Sequence, residues 1–189
     1  MRSSESTPSR PERPIPLAVI LVGDDDPRRC TGRRLVRWGL ARELRTTSKR
    51  NPRAILLDPY AASPLSPADA PRARSAGVVA VDCSWNRLSG GHARGAPPPT
   101  PGSSGSARRL PLLLAGNPQH YGRVGELNTA EALAAALYVL GEPAAAARLL
   151  EGFAGGPAFL AMNRERLDRY ARASSPDELH AEERSLFSR

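Results

Sequence analysis

The motif DCSW, residues 82–85, carries side chains that could do chemistry, and it follows directly after the apolar run GVVAV, residues 77–81. In open α/β sheets, ligands bind at the carboxyl ends of the strands. A carboxylate at Asp82 could act there as a base or orient a ligand, and the indole of Trp85 could stack on a planar ring or contact a cation. The alternative is structural: Asp82 or Ser84 caps a helix, and Trp85 belongs to the core.

A second motif, DPRRCTG at residues 26–32, follows the first apolar run of the chain in the same way. We expect Thr31 to cap the helix that begins there, where free backbone N–H groups and a hydroxyl suit a carboxylate or a phosphate. A cap without a ligand explains the same residues equally well. The acidic run 24–26 precedes Pro27 and has no histidine or glutamate partner, which favours a solvated turn over a metal site.

Four short apolar runs predict the elements that would position these motifs. They are PLAVILV at 16–22, AILL at 54–57, GVVAV at 77–81 and LLLA at 112–115. Because the runs are continuous and not alternating, they predict strands that are buried on both faces, as in a parallel sheet covered by helices. Between the first two runs, an apolar stripe predicts a basic helix over 31–44. The predicted fold class is therefore α/β.

The rest of the chain divides by composition. Residues 1–14 form a polar tail, and the Pro/Gly/Ser-rich segment 89–109 is a predicted loop within an α/β domain over 15–116. An all-helical domain is predicted over 117–189. Its first helix starts with a capping-box pattern at Asn128 and Glu131 and ends at Gly141. Further helices are predicted from Pro143, over 158–173, and after Ser175.

Basic residues are concentrated in one part of this 189-residue chain, whose net charge is +8. Residues 28–53 contain ten basic side chains and one acid, so this block carries +9 and the remainder −1. A patch of this kind favours nucleic-acid binding, because contacts to phosphates release counterions. The alternative is a solvated helix face in a protein whose only lysine is Lys49 and whose other cations are arginines.

Several classes of protein lack support in the sequence. Two cysteines and three scattered histidines indicate neither a disulfide framework nor a metal site, so we expect no metal. The motifs of nucleoside-triphosphate hydrolysis, dinucleotide binding and serine hydrolysis are absent. No apolar run approaches the roughly 18–20 residues of a membrane span, and the polar start is unlike a signal peptide. We therefore expect a soluble, cytoplasmic protein with no membrane partner.

Taken together, five segments resemble the small-subunit (16S/18S) rRNA aminocarboxypropyltransferases. They are DPRRCTGRRL, LDP, DCSWNRL, RRLPLLLAGNPQHYGRVGELNTAEALAAALYVLG and FLAMNRERLDRYARA. The resemblance covers about residues 16–173. Its most specific part is the combination of DCSW with the spaced patterns LP-x-L-x-A-x-NP-x-x-YG and L-x-T-x-EA.

The resemblance implies a SPOUT-like α/β domain with a trefoil knot, followed by a helical domain. Members of the family use S-adenosylmethionine and transfer its 3-amino-3-carboxypropyl group, not its methyl, to N3 of N1-methylpseudouridine or pseudouridine in small-subunit rRNA. Methylthioadenosine leaves. We expect this chain to do the same in ribosome biogenesis, as a monomer whose partner is small-subunit rRNA or a pre-ribosomal particle.

The resemblance also implies roles for particular residues. Thr31 would hold the carboxylate of the methionine moiety together with the backbone N–H of Thr129. Asp82 would help to deprotonate the pyrimidine N3. The carbonyl of Val81 would accept the ribose hydroxyls. The rRNA would be held by the arginines nearest to this site, namely Arg28, Arg29, Arg33, Arg34 and Arg37.

The remaining implied residues surround the adenine and the methyl group. Backbone groups of Leu110 and Gly125 would read the edge of the adenine. Trp85 with Leu88 would wall off the S-methyl group. The adenine itself would be enclosed by Leu57, Pro59, Trp85, Leu110, Leu127 and Ala132.

Two other functions are compatible with the same sequence. A SPOUT-type RNA methyltransferase would use the same cofactor but transfer the methyl group. A non-catalytic ribosome-assembly factor would bind rRNA through residues 28–53 and would not bind S-adenosylmethionine.

Overall fold

The computed structural model describes residues 13–21, 30–45, 51–82 and 106–187, which form a mixed α/β fold. Its five-stranded sheet has the order β2-β1-β4-β3-β5, and every pairing is parallel. The strands are β1 (Leu17–Leu21), β2 (Arg42–Leu44), β3 (Ile55–Leu57), β4 (Val78–Asp82) and β5 (Ala107–Arg108). Within the described ranges there are seven α-helices: α1 (Thr31–Arg37), α2 (Ala70–Ala76), α3 (Thr129–Val139), α4 (Pro143–Leu150), α5 (Gly156–Met162), α6 (Arg164–Tyr170) and α7 (Pro176–Phe187).

The centre of the sheet is formed by β1 and β4, which pair from Leu17 opposite Val78 to Leu21 opposite Asp82. Successive residues of these strands face opposite sides of the sheet. Val19 therefore lies in the larger of two hydrophobic clusters, whereas its neighbour Ile20 lies in the smaller one. Burial of both faces confirms the parallel sheet that the continuous apolar runs predict.

The basic helix predicted over 31–44 is wrong in its length. The observed helix α1 ends at Arg37, and β2 follows after a turn. Gly39 makes this turn with a left-handed φ of 70°. Leu44 then packs in the smaller cluster while β2 pairs with β1, so burial against the sheet overrides the helical periodicity of the sequence.

The fourth apolar run, LLLA, is not a strand, and that prediction is wrong. Helix side chains bind the backbone groups that a neighbouring strand would otherwise bind. Asn163 accepts the N–H of Leu114 at 2.9 Å and donates to its carbonyl at 2.7 Å. Glu183 accepts the N–H of Leu112 at 2.9 Å, and the hydroxyl of Tyr170 donates to the Leu112 carbonyl at 3.0 Å. The fifth strand instead lies at residues 107–108, at the end of the segment predicted to be a loop.

The helices of the carboxyl-terminal part begin largely where their capping residues predict. Asn128 and Glu131 form the capping box of α3, and Gly141 follows its end with a φ of 88°. The hydroxyl of Ser175 accepts the N–H of Glu178 at the start of α7. The single helix predicted over 158–173 is wrong: two helices, α5 and α6, meet at Asn163, and the first of them begins at Gly156.

Helix α3 lies at the centre of the larger cluster, with nine of its residues buried. Side chains of β1, β3, β4, α1 and the helices α4 to α7 pack in the same cluster. Among the described residues, no helix has both the length and the apolar character needed to span a membrane. The predicted domain boundary at 116/117 stays a prediction.

Candidate cofactor-binding and catalytic site

Asp82, the last residue of β4, lies where three elements of the fold meet. The thiol of Cys30, immediately before α1, donates to Oδ2 of Asp82 at 2.6 Å. The hydroxyl of Thr129, the first residue of α3, donates to Oδ1 of the same carboxylate. All three side chains are buried. The carboxylate therefore connects the end of a central strand to the first turns of two helices.

The start of α1 is shaped for this contact. Cys30 caps the helix: its sulfur accepts the N–H of Arg33 at 3.3 Å, so the prediction that Thr31 is the cap is wrong, and Thr31 is the first residue of the helix. A Cβ added to Gly32 would lie 2.7 Å from Cγ of Asp82. A glycine at this position lets the helix backbone come close to the carboxylate.

The thiol of Cys30 keeps its proton at neutral pH. Burial, together with the hydrogen bond to Asp82, raises the pKa of Cys30 to about 11. A protonated thiol is a hydrogen-bond donor and a poor nucleophile. Cys30 is therefore suited to hold the Asp82 carboxylate in place.

The start of α3 is fixed by a buried carboxylate of its own. Glu131 accepts hydrogen bonds from the backbone N–H groups of Asn128 and Gly116, each at 2.9 Å, and from the side-chain amide of Asn117 at 2.7 Å. Burial raises the pKa of Glu131, although these hydrogen bonds act against the shift. The network ties the turn after residue 115 to the first turn of α3, and so it fixes the position of Thr129.

Most of the apolar residues predicted to enclose an adenine lie in the larger hydrophobic cluster. Leu57, at the end of β3, and Leu127, just before α3, are both buried in the larger hydrophobic cluster. Leu110 and Ala132 are partly buried against the same cluster. Four of the residues predicted to enclose an adenine are thus in one cluster, whereas Pro59 is exposed on the turn after β3.

The backbone between residues 113 and 127 is held by close hydrogen bonds. Gly125 has a left-handed φ of 78°; its N–H donates to the carbonyl of Leu113 at 2.8 Å, and its carbonyl accepts the N–H of Leu127 at 2.9 Å. Val81 precedes Asp82 in β4 and is partly exposed. The structure thus places the backbone groups of Gly125 and Val81 in segments that lead directly to the junction.

The predicted RNA-binding arginines that are described differ in their surroundings. Arg33 and Arg37 are exposed on α1. Arg34 is half-buried: its guanidinium lies 4.6 Å from the centre of the Trp38 ring and 4.7 Å from that of Phe153. Contact with rRNA stays a prediction for all of them. Four further predicted site residues lie outside the described residues, namely Arg28, Arg29, Trp85 and Leu88.

Sequence reasoning missed three residues that build the site: Cys30, Gly32 and, as an anchor of the preceding turn, Glu131. Cys30 and Gly32 act on a residue about fifty positions away in the chain, so no local pattern marks them. The sequence pattern marks Glu131 only as a helix cap. Its second role depends on Asn117, whose position beside Pro118 was the available signal.

This arrangement suits a ligand with a carboxylate and a flat apolar group. The first N–H groups of a helix have no acceptor within the helix, and those of α3 lie beside the Thr129–Asp82 contact. Leu110 and Ala132, which are only partly buried, supply an apolar surface. Within the described part of the chain, no group of three His, Cys, Asp or Glu side chains is arranged to hold a metal ion.

Two family models match the chain. The model described as "Ribosome biogenesis protein, C-terminal" matches residues 55–187, which is more than half of the chain. The model described as "Possible Fer4-like domain in RNase L inhibitor, RLI" matches residues 15–49. The two cysteines of the chain are fewer than the four thiolates that hold an iron–sulfur cluster.

Individual proteins are similar over most of the chain. A 16S rRNA aminocarboxypropyltransferase from Methanosarcina acetivorans is 42% identical over 167 residues, which cover 88% of this chain and 91% of the relative. An 18S rRNA aminocarboxypropyltransferase from Schizosaccharomyces pombe is 37% identical over 175 residues, which cover 92% of this chain and 58% of the longer relative. The solved structure of the SAM-dependent rRNA:acp-transferase Tsr3 from Vulcanisaeta distributa matches with a TM-score of 0.73 and 35% identity, over 93% of this chain and 100% of that one.

Proposed function

This chain belongs to the small-subunit rRNA aminocarboxypropyltransferases, a family of enzymes, and we propose that it transfers the 3-amino-3-carboxypropyl group of S-adenosylmethionine to N3 of a modified uridine in small-subunit rRNA. The acceptor is N1-methylpseudouridine or pseudouridine, and the modification belongs to ribosome biogenesis. The observation that carries this proposal is the meeting of α1, β4 and α3 at Asp82, next to a cluster that contains Leu57 and Leu127.

The residues of the junction fit this donor. Thr31 and the backbone N–H of Thr129 hold its carboxylate at the first turns of α1 and α3. The adenine lies against the leucines of the cluster and Ala132, with backbone groups of Leu110 and Gly125 at its edge. The Val81 carbonyl accepts the ribose hydroxyls. Beyond the described residues, Trp85 and Leu88 cover the S-methyl group.

The chemistry requires a positioned nucleophile and one exposed carbon of the donor. When bound, S-adenosylmethionine supplies a positively charged sulfur, which makes each attached carbon open to attack. A bond forms between N3 and the aminocarboxypropyl carbon, the carbon–sulfur bond breaks, and its electron pair stays on sulfur as methylthioadenosine leaves.

Asp82 accepts the proton that N3 must lose. Each carboxylate oxygen has two lone pairs, so each can accept the N3–H group in addition to the bond that it receives from Cys30 or Thr129. The two donors also fix the direction of the carboxylate. Asp82 therefore orients the nucleobase and accepts its N3 proton, which then passes to solvent.

The exposed arginines of α1 bring the rRNA to the junction. Arg33 and Arg37 lie on the helix whose first turn reaches Asp82, and guanidinium groups bind phosphates with two parallel hydrogen bonds. Arg28 and Arg29 precede this helix in the sequence, and Arg34 lies within it. We also propose, from the family resemblance, a trefoil-knotted α/β domain over 15–116, a helical domain over 117–189, and a cytoplasmic monomer.

Separate labelling of the two transferable groups tests the proposal. The protein is incubated with small-subunit rRNA that carries N1-methylpseudouridine and with S-adenosylmethionine labelled either in the methyl or in the carboxyl group. We expect the carboxyl label to enter the RNA and the methyl label to remain in the released nucleoside. Methyl label in the RNA would identify a methyltransferase instead. If neither label enters the RNA and calorimetry detects no binding of S-adenosylmethionine, the protein is instead a non-catalytic assembly factor that binds rRNA.

A further inference from the structure

Trp38, at the carboxyl end of α1, is a large aromatic side chain left 41% exposed. It is one of two tryptophans in a chain with only 5% aromatic residues. The family assignment gives it no role. An exposed tryptophan on the surface of an RNA-modifying enzyme is suited to stack on an unpaired nucleobase.

The indole is held firmly in spite of its exposure. Its ring centre lies 5.0 Å from that of the buried Phe153 at an interplanar angle of 58°. The Arg34 guanidinium lies 4.6 Å from the Trp38 ring centre, and its Nη2 donates to the carbonyl of Gly152 at 2.8 Å. A Cβ on Gly152 would come within 2.7 Å of Cζ3 of the indole. Three neighbours thus fix the ring while part of it remains in water.

The chain segment that contains Trp38 is basic. Arg33, Arg37, Arg42 and Arg45 are exposed on α1 and on or next to β2. Together with Arg34, and against the single acid Glu43, they give the segment 33–45 a net charge of +4. A fixed aromatic ring among exposed guanidinium groups has the two features that single-stranded RNA binding requires: a stacking surface and a positive path for the phosphates.

Trp38 lies near the proposed reaction site at Asp82. Cys30 and Trp38 cap the two ends of the same seven-residue helix, α1. At a rise of about 1.5 Å per residue, the ends are on the order of 10 Å apart along the axis. A base stacked on Trp38 and a base at Asp82 can therefore belong to one short stretch of RNA.

We propose that Trp38 is a stacking platform for an unpaired nucleobase of the rRNA substrate, next to the nucleotide that is modified. This inference rests on the proposed function and extends it to the part of the RNA that flanks the target. Arg34 holds the indole in its orientation, and Arg33 and Arg37 bind the adjoining phosphates.

The test separates the contributions of charge and of stacking to RNA affinity by how each depends on salt concentration. Binding of a dye-labelled single-stranded RNA oligonucleotide is measured by fluorescence anisotropy at several salt concentrations. Trp38→Ala should weaken binding about 5- to 100-fold without a change in the slope of log affinity against log salt, because stacking releases no counterions. Arg33→Glu combined with Arg37→Glu should weaken binding and also flatten that slope. On a fully paired RNA duplex, Trp38→Ala should have no effect.

Two control variants separate stacking from folding. Leu179→Ala removes buried apolar volume in α7, an element that holds none of the three neighbours of Trp38, and lowers stability, but it should leave RNA affinity unchanged. Trp38→Phe keeps an aromatic face and should retain part of the affinity. The platform is wrong if Trp38→Ala binds single-stranded RNA as the wild type does, or if Leu179→Ala loses as much affinity as Trp38→Ala. Failure of the wild-type protein to bind any RNA would instead overturn the proposed function, and the platform with it.

Discussion

The side chain of Asp82 points in a fixed direction before any ligand binds, because a thiol and a hydroxyl from two different helices hold its two oxygens. Fixing a reactive group by neighbours that are themselves packed avoids an ordering cost during the reaction. The close approach of Gly32 completes this arrangement, since any side chain there would displace the carboxylate.

Gly32→Ala should therefore damage the site. Alanine is favoured over glycine in a helix by up to about 1 kcal/mol. A Cβ within 2.7–2.9 Å of three Asp82 atoms is overpacked, however, which costs about 1–3 kcal/mol. We expect a net loss of stability in urea denaturation and, by calorimetry, an affinity for S-adenosylmethionine lower by at least about ten-fold, or about 1.4 kcal/mol.

Gly39→Ala is the matched control for this variant. Gly39 follows the other end of α1, has a left-handed φ of 70°, and has no atom within 4 Å of an added Cβ. Alanine there strains the backbone by about 1 kcal/mol without touching the site. Its affinity for S-adenosylmethionine should equal that of the wild type. Equal affinities for both variants would show that the contact between Gly32 and Asp82 does not shape the site.

Some residues of the site could be predicted from the sequence and others could not. Asp82 directly follows an apolar run, and Thr129 follows a capping residue, so local pattern and family motif both point to them. Cys30 and Gly32 become important only through the packing of α1 against β4. Contacts between residues so distant in the chain leave no local pattern in a single sequence.

At the scale of elements, the extended segment 109–115 depends on helices and not on a strand. Arg109 forms two hydrogen bonds of 2.7 Å with Glu183 of α7, and the same carboxylate accepts the N–H of Leu112. Burial alone would raise the pKa of Glu183, but Arg109 and the Leu112 amide outweigh it and hold this pKa below its ordinary value. Because Leu110 lies between these contacts, α7 supports the proposed adenine site.

Glu183→Gln should consequently affect both stability and cofactor binding. It removes the charge that pairs with Arg109, and for this partly buried pair we expect a loss of about 2–3 kcal/mol in urea denaturation. Affinity for S-adenosylmethionine should fall, because Leu110 loses its support. Glu182→Gln, one residue earlier, breaks a more exposed pair with Arg169 and should cost clearly less stability than Glu183→Gln. Similar losses for the two variants would contradict a supporting role for Glu183.

Acid should weaken the same contact in the wild type. A carboxylate whose pKa is lowered on folding stabilises the protein above its unfolded pKa of about 4.3, and this contribution is lost as the pH falls through the lower folded pKa. Stability measured between pH 6 and pH 3 should therefore fall more steeply for the wild type than for Glu183→Gln. Parallel profiles would show that the ion pair adds little.

Elements were predictable where their signals are local. The capping box of α3 spans four residues, and the strands β1, β3 and β4 follow continuous apolar runs. The predictions for residues 40–44 and 112–115 are wrong because the structure of these segments depends on partners elsewhere in the chain. Leu44 pairs with β1 in the sheet. The backbone groups of Leu112 and Leu114 bind side chains of α6, of α7 and of the turn between α5 and α6. Periodicity in the sequence does not reveal these partners.

For the whole molecule, charge and packing are divided between different parts of the chain. The net charge of the chain is +8. Residues 28–53 carry +9, and residues 117–189 carry −2, from eight basic and ten acidic side chains. The acidic part supplies Glu131 and Glu183, which hold the segments around the junction, and the basic part contains α1 and Trp38. In the proposed function, one part of the molecule supports the cofactor site and the other binds the rRNA.

The most direct measurement of the central claim is the identity of the nucleoside released when the wild-type protein reacts with S-adenosylmethionine and rRNA. Chromatography with mass detection distinguishes methylthioadenosine from adenosylhomocysteine. We expect methylthioadenosine, in an amount equal to the uridine that gains an aminocarboxypropyl group at N3. Adenosylhomocysteine, formed together with methylated RNA, would contradict the account.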